Sequence, residues 1–123
     1  WAQYEAHNDH IVTGRAAAQA FISSSLSRYP RETQTAPWQA DAIAFYFTQK
    51  PNTVIDVTQT FETKFAAMAK HASQLNEELL GLYKIYFSMQ GQKLAEGRDF
   101  AMGEGFKVLS PLHMHCFTEA PEI

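Results

Sequence analysis

The sequence predicts a mixed α/β fold on three observations. A helix-like run follows a His-rich elbow near the start, from Ile11 to about Tyr29. Two short strand-like runs come next, Ala42–Phe47 and Thr53–Thr58. Helical periodicity then returns from Phe61 to Met89. A chain of 123 residues is one domain or part of one. With 46% hydrophobic and 13% aromatic residues it has the material for a packed core.

Each element has its local reason. Ile11, Gly14, Ala18, Phe21, Ile22, Ser25 and Leu26 recur at three-and-four spacing, and Asp9 offers an N-cap just before them. Ser23 to Ser25 weaken the far end, and Tyr29-Pro30 closes it. Arg31 to Ala40 reads as a loop whose Trp38 is expected to pack back on the body. Ala42–Phe47 reads as a buried strand, Gln49–Asn52 as a turn and Thr53–Thr58 as a β-branched strand. Phe61, Phe65, Met68, Ala69 and Ala72 predict the buried stripe of a second helix, with Thr58 or Thr60 as cap. The pattern restarts at Asn76–Met89, with Gly91 and Gly97 expected to break it. Phe106–Leu109 reads as a last strand stopped by Pro111, followed by a tail containing His113 and His115.

Charge and composition exclude some partners. A net charge of −3, a pI near 5.9 and scattered Lys/Arg argue against nucleic acid. No apolar run is long enough to span a bilayer. The lone Cys116 rules out an internal disulfide framework and fits a reducing, cytoplasmic setting. The chain opens without Met and reaches its most chemistry-like motif within ten residues, as a sequence entered midway would.

Four features can carry chemistry. In His7-Asn8-Asp9-His10 a neutral imidazole is a good zinc ligand, and a nearby carboxylate can orient another imidazole; the alternative is a helix cap on the surface. Asp56 ends a strand, where α/β sheets place sites, or it holds a turn. Lys64, Lys70, His71, Ser73 and Gln74 offer donors, with Lys64 and His71 expected on one helix face, or they form a solvated face. His113 and His115 share a face if the tail is a strand, which would suit a metal, or they belong to a structural tail.

Taken together these motifs resemble the C-terminal half of the LmbE-like, or PIG-L, family of zinc-dependent N-acetylglucosaminyl deacetylases. Its HPDH motif is matched by His7-Asn8-Asp9-His10. Its strand ending D-V-S/T is matched by Asp56-Val57-Thr58. Its helix K-x-x-A-x-x-x-H-x-S-Q is matched by Lys64, Ala67, His71, Ser73 and Gln74. Its A-E-x-F pattern is matched by Glu104 and Phe106, with Gly103 where the family has Ala. The agreement in order and spacing covers residues 7 to 106.

The resemblance implies the C-terminal portion of a Rossmann-like, three-layer α/β fold. Residues 1–123 would form the C-terminal part of a single deacetylase domain whose N-terminal part is absent. It implies His10 as a zinc ligand, His7 as the imidazole that stabilises the tetrahedral intermediate or protonates the leaving amine, and Asp9 as its tuning carboxylate. The implied substrate is an N-acetylated sugar conjugate. Two departures stand out. Asn8 replaces the usual Pro, and the family's P-H-P-D-D motif, source of two further zinc ligands and the general base, has no counterpart. The chain alone is therefore expected to be inactive and to bind Zn2+ weakly. It is also expected to leave an apolar sheet edge and helix face uncovered, to be met by the N-terminal half, a partner chain or a homo-oligomer. The competing expectation is a non-catalytic binding or assembly module of the same fold. Specificity is expected in Arg31–Ala40 and Gly97–Gly105, with Arg98 and Glu104 either reaching the pocket or lying solvated on the surface.

Overall fold

The computed structural model describes residues 6–28 and 35–116. Their elements, in chain order, are α1 (Asn8–Ser23), β1 (Ile43–Phe45), β2 (Thr53–Asp56), α2 (Phe61–Met68), α3 (Glu77–Ala95), β3 (Gly103–Leu109) and α4 (Pro111–His115). The three strands form one sheet in the order β1-β3-β2, with β1 antiparallel to β3 and Phe45 opposite Lys107. Mixed α/β architecture is thus present. The chain divides into two contact units, one of residues 1–53 with 106–123 and one of residues 54–105.

In the first unit α1 packs against β1, and Phe21, Ser23 and Phe45 are buried. The helix begins earlier than expected. His7, not Asp9, is its N-cap: the His7 backbone is extended and its ring Nδ1 accepts the Asp9 amide. The helix also stops at Ser23, short of Tyr29. There the Ser24 and Ser25 hydroxyls donate to the carbonyls of Phe21 and Ile22, three residues back. Hydroxyls that bond to nearby carbonyls compete with the helical ladder. Tyr29 itself lies outside the described residues. Trp38 does not pack back as expected: it is 71% exposed. Strand β1 is half the expected length, because Phe47 takes a left-handed φ of 52° that no strand continues through.

The strand does end at Leu109, just before Pro111, as expected, but Pro111 also starts a helix. Proline at the first helical position lacks only an N–H that the helix would leave unpaired. Ser110 caps α4 in a reciprocal box with His113. The tail is therefore helical up to His115, and His113 and His115 are not aligned on a strand. Between strands, the Asn52 side chain stands in for backbone, its Oδ1 accepting the Val108 amide and its Nδ2 donating to the Val108 carbonyl.

The second unit is built on three phenylalanines. Phe61 and Phe65 from α2 meet Phe87 from α3, with Val57, Met68 and Met102 packed around them. Phe61 and Phe65 meet edge to face at 5.1 Å between centroids. The stripe of α2 ends at Met68; Ala69 and Ala72, expected inside, are exposed because the helix has ended.

Asn76 caps α3 by accepting the Leu79 amide. Gly91 does not break this helix. It lies buried where a Cβ would meet Met102 Sδ at 3.3 Å and Phe61 at 3.5 Å, so the missing side chain admits close packing. Phe87, Gly91 and Ala95 share the buried face at four-residue spacing. On another face Leu82, Ile85, Tyr86 and Met89 are all more than half exposed. Gly97, at φ 74°, follows the helix end. Strand β3 starts three residues earlier than expected, at Gly103.

Candidate functional site

The elbow before α1 brings its two imidazoles together. His7 and His10 are one helical step apart, and their rings stack at 4.5 Å between centroids, 23° from parallel. Both residues and Asp9 are exposed. Because His7 Nδ1 accepts the Asp9 amide at 3.3 Å, the neutral ring carries its proton on Nε2. The donor hydrogen of the neutral ring then sits on the nitrogen remote from the cap. The amide of Asp9 fixes that orientation.

Catalytic zinc normally takes three protein ligands. Among the described residues no group of three or more His, Cys, Asp or Glu is placed to hold a metal. The described donors therefore do not amount to a zinc site by themselves, and His10 is a single imidazole donor.

The Asp56-Val57-Thr58 motif organises a turn. The Asp56 carboxylate accepts the Thr58 amide at 2.9 Å. Hydrogen bonds from the Thr58 side chain and then its backbone hold the Asp56 carboxyl below its ordinary range. The Thr58 hydroxyl in turn accepts the amides of Ala101 and Met102, both at 3.1 Å. Two backbone donors at the entry to β3 are thereby satisfied by one side chain.

The Lys64–Gln74 motif divides. Helix α2 ends at Met68, so Lys64 and His71 do not share a helix face as expected. His71 instead anchors a turn, its carbonyl accepting the amides of Gln74 and Leu75. His71, Ser73 and Gln74 are exposed. Lys64 reaches forty residues along the chain to Glu104, with Nζ 2.9 Å from Oε1 and 4.5 Å from the Phe87 ring centroid. The pair borders a shallow, mostly apolar cleft of about 330 Å³ formed with Val57, Phe61 and Ala67.

The remaining candidates have local duties. Arg98 Nε donates to the Leu94 carbonyl at the end of α3. His113 Nδ1 lies 3.0 Å from the Ser110 hydroxyl within the α4 cap. His115 is exposed. Sequence reasoning missed the Lys64–Glu104 pair, whose only signal was that both positions match one family's motifs. It also missed Phe47, for which no local signal exists.

No family model matches the chain. The chain is similar to the diacetylchitobiose deacetylase of Thermococcus kodakarensis, 32% identical in an alignment of 114 residues that covers 84% of this chain and 43% of that protein. Its fold is similar to that of N,N′-diacetylchitobiose deacetylase from Pyrococcus horikoshii, solved with its inhibitor MPG. The match has a TM-score of 0.84 and 28% identity and covers all of this chain and 48% of that one. The chain thus spans less than half the length of the relatives it matches, and these relatives are deacetylases.

Proposed function

We propose that this chain is part of a metal-dependent hydrolase that removes an N-acetyl group from a GlcNAc-type sugar conjugate. The observation that carries the proposal is the similarity to a diacetylchitobiose deacetylase over 84% of the chain. The match in fold to a second such deacetylase supports it. So does the paired-imidazole elbow, whose His7 keeps a proton on Nε2.

Amide hydrolysis needs an activated water, a donor for the developing oxyanion and an acid for the leaving amine. In this proposal His7 serves as the donor, from Nε2. Its tautomer is held by the helix cap, and Asp9 places its amide against Nδ1. His10 supplies one ligand to Zn2+, which would polarise the acetyl carbonyl and activate water when bound. The other ligands and the general base come from the remaining part of a Rossmann-like, three-layer domain. The exposed Leu82, Ile85, Tyr86 and Met89 face of α3 is an apolar surface for that part to cover.

The test is acetate release from N,N′-diacetylchitobiose by the polypeptide that carries this chain, supplied with zinc. His7→Asp keeps a cap acceptor but carries no donor hydrogen. It is expected to leave helix content unchanged and to lower kcat by about a hundredfold, the scale of losing one oxyanion donor. Saturable sugar binding without acetate release would replace the proposal with the non-catalytic module.

A further inference from the structure

Just past β1 the chain displays two adjacent aromatic side chains. Tyr46 is 64% and Phe47 58% exposed, with ring centroids 5.2 Å apart and planes inclined at 54°. Phe47 holds a φ of 52°, the single positive value found at a non-glycine among the described residues. That region disfavours an aromatic residue, and strained backbone of this kind concentrates at ligand sites. The preceding residue fixes the pair in place: Phe45 is buried and lies opposite Lys107 on β3. The polar turn Thr48-Gln49-Lys50 follows, tied by the Lys50 amide to Thr48 Oγ1 at 3.2 Å.

We propose that Tyr46 and Phe47 form a stacking platform for a pyranose ring, a sugar subsite of the deacetylase proposed above and resting on that proposal. A β-linked GlcNAc ring carries its substituents equatorially, so one face presents axial C–H bonds polarised by neighbouring oxygens. Such C–H groups are attracted to the negative face of an aromatic ring. The hydroxyls around the rim need polar partners, and the Tyr46 phenol can offer one. The exposed face of α3 is different in kind. Its mix of Leu, Ile and Met suits protein packing, whereas Tyr46 and Phe47 present two aromatic surfaces beside polar residues.

Phe47→Gly separates the two roles of this residue. Glycine takes φ 52° without strain, so the variant is expected to melt no lower than the wild type while losing the ring. Phe47→Asn, which also tolerates this region, is the second variant. Saturation-transfer NMR on the polypeptide that carries this chain, with N,N′-diacetylchitobiose, is expected to show transfer to the axial sugar protons. Both variants and Tyr46→Ala should weaken binding about tenfold, or about 1.4 kcal/mol.

Unchanged affinity in Phe47→Gly overturns the platform, as does a lower melting temperature in both Phe47 variants or no sugar binding by the wild type. In the longer polypeptide, acetate release with an unchanged KM in Phe47→Gly overturns the platform and leaves the deacetylase standing. Phe47-dependent sugar binding without acetate release supports the platform and overturns the deacetylase alone.

Discussion

Residues 54–105 and the elbow at residues 7–10 both carry residues that resemble the motifs of one deacetylase family, yet they use them differently. In 54–105 the matched side chains hold the fold. Asp56 closes a turn, Thr58 satisfies two amides, and Lys64 joins Glu104. In the elbow the matched imidazoles are exposed and stacked, and the His7 ring caps the helix through Nδ1. The difference teaches that a resemblance to a motif does not by itself say what a residue does. Substitutions in 54–105 should therefore register as lost stability, and those in the elbow as lost chemistry.

The largest effect should come from Phe65, which is 5% exposed between Phe61 and Phe87. Phe65→Ala is expected to cost about 3–5 kcal/mol in a urea melt, the usual range for emptying such a site. A loss below about 1 kcal/mol would mean that 54–105 is not held by this core. Gly103 comes next, because a Cβ there would lie 2.8 Å from Val54 Cγ1 and 3.2 Å from Leu94 Cβ. Gly103→Ala should cost about 1–3 kcal/mol, the scale of overpacking. Adding Val54→Ala should recover part of that loss through relieved crowding. Additive losses would locate the strain elsewhere.

The smallest effect is a pH dependence at Asp56. Its carboxyl is held below the ordinary carboxylate range by bonds from the Thr58 side chain and backbone. A depressed carboxyl stabilises the fold above the unfolded value. That contribution fades as pH falls through the folded one. The melting temperature of the wild type should thus drop more steeply below about pH 4 than that of Asp56→Asn, in matched thermal scans. Parallel curves would remove Asp56 from the motif's structural role.

Much of this was readable from local pattern. Helix α1, the aromatic strand at β1, the β-branched strand at β2 and the Phe61–Phe65 stripe all follow from spacing and side-chain type. Ends were harder, because they are decided by tertiary neighbours. Gly91 looked like a breaker until Met102 and Phe61 were seen to need its missing Cβ. Asp9 looked like the cap, but the longer imidazole of His7 reaches the amide from one turn position earlier. Pro111 ends a strand and begins a helix in the same stroke. At the site, the His7–His10 pair was legible because i and i+3 residues face together. Lys64–Glu104 was not, since nothing local links residues forty apart.

The amide of Asn52 has a consequence for how the sheet finds its alignment. It offers an acceptor and a donor to one residue, Val108, and its own backbone N–H bonds to the Phe106 carbonyl. Sliding the segment along β3 by a single residue would break all three bonds at once and turn its side chains to the opposite face. Asn52 therefore acts as a pin that makes one alignment complete and its neighbours visibly short of partners. It biases the chain against off-register pairing before any core has formed to correct it.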